Sequence, residues 1–202
     1  MKHILKNVTK QTDNKYINIY LAEYEIDGGI KNYQICSRKS QDNLQINHPD
    51  NIIVDAVRIL PYYYENEKLK LCFIKEFRYA INNYIYSFPA GLVDMGESYD
   101  TAATRELYEE IGAKIKKLEF TDKACFSSAG ISDESIVCYE AEVELTGNQK
   151  LDFSEDIELV IVDFDDLEDF LESHLMGLQT RLQAKYFYYK TLYKNLKGKK
   201  NE

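Results

Sequence analysis

The sequence predicts an α/β fold, α+β in character, built on a mixed sheet rather than a doubly wound parallel one. Three observations predict it. Period-two alternation fills the first third of the chain, one amphipathic helix interrupts a longer run of strands, and helical spacing returns only at the carboxyl end. With 202 residues, 45% of them hydrophobic, the chain suits one domain of good size with a small appendage.

The elements follow in order. Residues 16–26 (YINIYLAEYEI) and 30–37 (IKNYQICS) alternate polar and apolar side chains, and Asp27-Gly28-Gly29 between them is a hairpin signal. The polar run QDNLQINHPDN leads to strands at 51–60 and 69–78, separated by a loop holding Pro61 and Glu65-Asn66-Glu67. Residues 79–97, broken by Pro89 and Gly91, read mostly as loop. A helix fits 98–112, with Ser98 as N-cap, Asp100 in the first turn and Gly112 as the left-handed terminator. Strands suit 117–126, 134–145 and 157–163. Helices suit 164–175 and 178–196, where Leu178, Leu182, Tyr186 and Tyr189 recur at helical spacing. Of the 17 tyrosines, the 62–64 and 186–189 groups read as core or interface aromatics.

Charge and cysteine usage exclude several function classes. A net charge of −9 argues against nucleic-acid binding through a basic surface, and the lysine-rich tail KGKKNE reads as a solvated terminus. The opening MKHILKNVTK lacks the apolar run of a signal peptide. No stretch of about 18 apolar residues could span a bilayer, so no membrane partner is expected. Cys36, Cys72, Cys125 and Cys138 are widely separated with no CxxC pair, and read as buried, reduced thiols of a cytoplasmic protein.

The central helix carries the chemistry. With Glu106 at zero on a helical wheel, Glu109 falls at about −60° and Glu110 at about +40°, so three carboxylates share a narrow arc. Ala102 and Ala103 lie one turn earlier on the same side and are expected to leave room over the acids, while Leu107 and Ile111 form a buried stripe. Like charges at this spacing repel by about a few tenths of a kcal/mol per pair. A solvated face tolerates that cost. A bound divalent cation turns it into attraction, and hard oxygen donors suit Mg2+ or Mn2+.

Gly91, five residues, Glu97, seven residues, then Arg105-Glu106-Leu107-x-Glu109-Glu110-x-Gly112 resembles the Nudix box, GX5EX7REUXEEXGU. Every fixed position is matched, and Ala113 stands where a bulky aliphatic is usual. The resemblance implies a mixed sheet between helices, an α/β/α sandwich, with the box as a loop–helix–loop. It implies that Glu106, Glu109 and Glu110 bind divalent cations, that Glu97 supports the metal cluster or joins it through water, and that Arg105 holds a box glutamate. The Ala90 carbonyl is implied as a further ligand, and Gly91 and Gly112 as turn glycines. The activity implied is hydrolysis of a pyrophosphate linkage, the work of an acid anhydride hydrolase, with Glu109, Glu110 and Arg105 among the catalytic groups.

Outside the box, Phe88-Pro89-Ala90-Gly91, Glu76-Phe77-Arg78-Tyr79, Ser127–Glu134 (SSAGISDE) and Glu155-Asp156-Ile157-Glu158 resemble segments of the ADP-ribose and nucleoside-diphosphate-sugar pyrophosphatase branch. That resemblance implies substrate contacts at Arg78, Gly130 and Glu134, and a general base at Glu155, with Asp152 and Glu134 behind it. Ala129 replaces the proline common in ADP-ribose enzymes, and Ser87 a frequent glutamate. The expected organisation is an amino-terminal hairpin region at 1–45 that forms a homodimer, followed by the hydrolase domain at 46–198. Two other readings stand beside this one, a housecleaning nucleoside triphosphate pyrophosphatase and a non-catalytic nucleotide sensor on the same fold.

Overall fold

The computed structural model describes residues 2–198, which fall into two compact units. One runs to Ala56 and adds Ala124–Val137, and the other takes Val57–Lys123 and the chain from Cys138 on. The expected tail KGKKNE lies largely outside the described residues.

The first unit holds a three-stranded antiparallel sheet, β1 (His3–Lys10), β2 (Asn18–Ile26) and β3 (Gly29–Ser37), in the order β1-β2-β3. The β2–β3 hairpin is the one expected. Ile26 pairs Gly29 across a two-residue turn in which Asp27 and Gly28 both take positive φ, as the twist of a tight hairpin demands. Strand β1 was not expected, because its side chains are almost all exposed and leave no apolar alternation to read. Two short 3-10 turns follow at Gln41–Asn43 and Gln45–Asn47. Beneath them Lys39 donates to Asp55 at 2.5 Å and to the Asp133 carbonyl at 3.0 Å, a buried pair whose lone pairs are met further by the Ser135 amide at 2.8 Å.

The remaining elements are β4 (Ala56–Glu65), β5 (Lys68–Arg78), β6 (Asn83–Ser87), β7 (Ala90–Leu92), α1 (Tyr99–Ile111), β8 (Ala113–Phe126), β9 (Ser135–Leu145), β10 (Ile157–Asp163), α2 (Leu167–Ser173) and α3 (Leu178–Gly198), most of them in the second unit, which shares the ends of β4, β8 and β9 with the first. Their sheet orders β10-β5-β4-β9-β8, with β6 on β5 and β7 on β4. The mixed α/β class is the predicted one. Several bounds differ. The strand expected at 51–60 lies at 56–65 and runs through Pro61, so the turn falls at Glu65–Lys68, where Asn66 and Glu67 take positive φ. The expected 79–97 loop contains β6 and β7, and the 164–175 helix shortens to α2 after a 3-10 turn at Phe164–Asp166.

Leu60, Leu71, Phe73 and Phe88 pack with Leu167, Leu171, Ala184 and Phe187 of α2 and α3. Phe73 centres this cluster, its ring 4.5 Å from Phe88 and 4.9 Å from Phe170. The 186–189 aromatics, expected in a core or an interface, divide: Phe187 is buried, whereas Tyr186 and Tyr189 face outward at 61% and 56% exposure. The thiols divide too. Cys72 is buried, Cys36 and Cys138 are half-buried, and Cys125 is exposed. Among the described residues no helix is long and apolar enough to cross a membrane.

Candidate active site

Helix α1 has the ends its sequence predicts. The Ser98 hydroxyl oxygen accepts the Thr101 amide at 3.2 Å, and Gly112 terminates the helix at φ 60°. A Cβ on Gly112 would meet the Asn148 backbone at 2.7 Å, because residues 146–150 run directly beneath the last turn. There the Thr146 and Lys150 amides donate to the Gly112 and Glu109 carbonyls at 2.8 Å each, and the Gln149 side chain donates to the Glu110 carbonyl. Leu107 and Ile111 are buried as the stripe requires. Ala102 and Ala103 are buried too, so they let the helix settle into the core rather than clear space over the acids.

The carboxylates occupy different environments. Glu106 and Glu110 are only 8% and 6% exposed, while the Glu109 side chain keeps 32%. Arg105 binds them together. Its Nε and Nη2 take both oxygens of Glu97 at 3.1 and 3.0 Å, and Nη1 reaches Glu106 at 2.6 Å and Glu109 at 3.2 Å. Three glutamates thus share one guanidinium, where one was expected. The Arg105 bond, helped by the Asp94 amide, holds the Glu97 carboxyl below its usual range. Burial pushes Glu106 up, although Arg105 opposes the shift. Burial, with the charges of Glu106 and Glu76, pushes Glu110 well above the ordinary value against the bond it accepts from the Ala90 amide at 3.3 Å.

Gly91 has a different reason from the one expected. Its φ lies outside the left-handed region, so no turn demands glycine there. A Cβ would instead lie 1.8 Å from a Glu106 carboxylate oxygen. The glycine gives that carboxylate its place.

Glu155 sits in the exposed turn before β10. Its carboxylate accepts the Asp152 amide at 2.8 Å, and its own amide donates back to the Asp152 carbonyl at 3.0 Å. Tyr84 donates to the Asp156 carboxylate, and the Phe77 amide to the Asp156 carbonyl at 3.3 Å, tying the turn to the end of β5. The charge of Glu155 adds, as a minor cause, to the fields that raise Glu106 and Glu110. Arg78, half-exposed, lies 2.8 Å from Glu76 Oε1 in an ion pair whose angle falls short of a hydrogen bond. Gly130 and Glu134 fold with the other unit. The Gly130 carbonyl accepts from Tyr33, and Glu134 accepts from Ser127 at 2.6 Å and Arg38 at 3.4 Å.

Two residues were missed as site components. Glu76, 8% exposed, is pushed up by burial and contributes to the field on Glu110. Arg58 of β4 donates to Ser87 at 3.2 Å, Thr180 at 2.9 Å and Gln179 at 3.2 Å, just behind the chain entering the box, while the neighbouring Ile59 amide holds the Pro89 carbonyl at 2.9 Å. Each is a charge inside an apolar run, AVRILP and LCFIKEF, and that was the available signal.

Among the described residues no three Asp, Glu, His or Cys side chains converge as a ready cation cage. Arg105 draws Glu97, Glu106 and Glu109 to itself instead. The donors nevertheless fit a hard divalent ion: they are carboxylate oxygens, and Glu110 is buried with acids for neighbours and no cation bonded to it.

Comparison with known proteins agrees with this geometry. The NUDIX domain profile matches residues 54–180. A nudix protein of Caenorhabditis elegans is 31% identical over 142 residues, which are 67% of this chain and 60% of that protein's length. The ADP-ribose pyrophosphatase of Bacillus subtilis is 28% identical over 172 residues, 83% of each chain. A crystal structure of an ADP compounds hydrolase superposes with a TM-score of 0.73 at 20% identity, covering 97% of this chain and 96% of that one, a likeness of fold. With every fixed position of the box matched between Gly91 and Gly112, a profile match over residues 54–180 and the same fold in a solved structure, this chain belongs to the Nudix family.

Proposed function

We propose that this chain is a hydrolase that cleaves the pyrophosphate bond of ADP-ribose or a related nucleoside diphosphate sugar, giving a nucleoside monophosphate and a sugar phosphate. The observation that carries the reading is the box itself: two buried carboxylates whose burial disfavours their charge, beside a third that stays accessible. The Bacillus subtilis relative, named as an ADP-ribose pyrophosphatase over 83% of its length, supports the substrate class.

Glu106, Glu109, Glu110 and the Ala90 carbonyl would hold the cation, Mg2+ with Mn2+ as a substitute. Held there, such an ion would supply positive charge against the diphosphate and make a water easier to deprotonate. The chain's own residues do the rest. Arg105 keeps Glu97, Glu106 and Glu109 in register. Glu155, held from its backbone side by Asp152, accepts the proton of the attacking water. That water's oxygen bonds to one phosphorus, the bridging P–O bond breaks, and the bridging oxygen leaves on the other phosphate. Arg78 offers a half-exposed cation to the substrate.

The protein acts as a homodimer joined through residues 1–45, where Ile4, Tyr16 and Ile30 leave apolar surface exposed at 39%, 68% and 64%. It works in the cytoplasm, whose reducing chemistry suits four cysteines spread along the chain with no CxxC pair. Purified protein with Mg2+ should release AMP and ribose 5-phosphate from ADP-ribose, read by product chromatography beside other nucleoside diphosphate sugars, dinucleotides and nucleoside triphosphates. Turnover of nucleoside triphosphates alone would overturn the substrate class.

A further inference from the structure

Helix α3 turns an apolar seam outward. Thr180, Ala184 and Phe187 are buried against the core, yet Leu178, Leu182, Tyr186, Tyr189, Tyr193 and Leu196 are 56–71% exposed on the opposite side. From Leu182 on, these residues follow one another by four, three, four and three positions, the a/d spacing of a coiled coil. Side chains of this size at this exposure amount to roughly 800 Å2, one side of a standard interface and more than a free surface normally shows.

The charge beside the seam states what would cover it. Helix α3 carries Arg181, Lys185, Lys190, Lys194 and Lys197 and no acid, in a chain of net charge −9. In the heptad register Lys185, Lys190 and Lys197 fall at the flanking e and g positions. Lys190 binds Glu140 at 2.6 Å, and Lys185 and Arg181 share Glu172 at 3.2 and 3.6 Å. Lys194 and Lys197 make no ion pair among the described residues, although Lys197 lies over the Tyr193 ring at 4.8 Å. A second α3 in antiparallel register would set lysine against lysine. A helix with acids at e and g would find Lys197, without an ion pair among the described residues, on one flank and Lys185, held only by the exposed Glu172, on the other.

We infer that the outward face of α3 docks an acidic amphipathic helix of a partner protein, with apolar residues in the seam and carboxylates against the flanking lysines. The surface is independent of the box, so its test does not depend on the substrate.

The probe is a pair of fluorescent 28-residue heptad peptides with leucine at a and d, one with glutamate at every e and g position, the other with lysine. Anisotropy should give micromolar binding of the glutamate peptide and at least ten-fold weaker binding of the lysine peptide. Leu182→Glu with Tyr193→Glu should abolish binding while leaving circular dichroism and ADP-ribose turnover unchanged. Lys185→Glu with Lys197→Glu should reverse the preference. Several results overturn the inference: equal binding of both peptides, binding of neither, or binding that survives the seam substitutions. An α3-dependent dimer that excludes the peptide would assign the seam to a second copy. Uptake on phosphatidylserine vesicles without peptide binding would assign it to lipid.

Discussion

Replacing Gly91 by alanine should cost activity and spare the fold. The added Cβ would stand 1.8 Å from Glu106 Oε1 and 2.0 Å from its Cδ, whereas ordinary contact begins near 3.4 Å. The carboxylate must therefore retreat by about 1.6 Å, the gap between 1.8 and 3.4 Å, and give up its 2.6 Å bond to Arg105. That end of the side chain is flexible and the Gly91 φ suits any residue, so the stability loss is one rotamer adjustment, about 0.5–1.5 kcal/mol. In a domain of this size that lowers Tm by less than about 6 °C. A ligand misplaced by more than about 1 Å loses on the order of 100-fold in turnover. Gly112→Ala is the control with the opposite outcome. Its φ of 60° and the Asn148 backbone at 2.7 Å cannot adjust cheaply, so it should cost at least about 2 kcal/mol of stability. Product chromatography gives kcat and differential scanning fluorimetry gives Tm. A Gly91→Ala enzyme within about three-fold of wild-type kcat, or one as unstable as Gly112→Ala, would refute the clearance argument.

The remaining predictions concern charge, the base and assembly. Burial raises the Glu110 and Glu106 carboxyls, so between the ordinary carboxylate value and the raised ones the folded chain holds protons that the unfolded chain has released. Stability of the metal-free protein therefore falls as pH rises through that interval. Glu110→Gln should raise metal-free stability at pH 8 by about 1–3 kcal/mol and flatten its pH dependence, while cutting kcat by several orders of magnitude; an unchanged melting profile would count against the buried charge. Glu155→Gln should lower kcat by about 100- to 10,000-fold with little change in Tm, since its side chain is exposed, and Asp152→Asn should fall far less. If Asp152→Asn proves the more damaging, the base is Asp152. Light scattering at micromolar concentration should give twice the chain mass, and a monomer there would remove the proposed dimer.

What was legible in the sequence was whatever depends on local order. Ser98, Gly112 and the Leu107/Ile111 stripe set the bounds and buried side of α1, because caps and periodicity act within one helix. The Asp27-Gly28 turn fixed its hairpin for the same reason. Features that depend on distant chain were not legible. The Arg58 bonds to Ser87 and to Thr180 span 29 and 122 residues. Spacing marked Gly91 but not why it is needed, since the reason is the Glu106 carboxylate, which lies on another element. Pro61 read as a breaker but sits inside β4, and β1 escaped because an exposed edge carries no alternation. Periodicity named α3 without telling which side faces out: the outward leucines and tyrosines repeat as regularly as the buried residues behind them.

The four donors that residues 146–150 lend to the carbonyls at the end of α1, the Thr146 hydroxyl among them, have a further effect. Those oxygens would otherwise fray into water, and the crowded acids would splay the last turn whenever their ion departed. Pinned from below, the helix keeps its carboxylates in formation, on the same stretch of chain that continues to Glu155. If the site holds an ion as proposed, its return after loss would refill a standing frame without refolding.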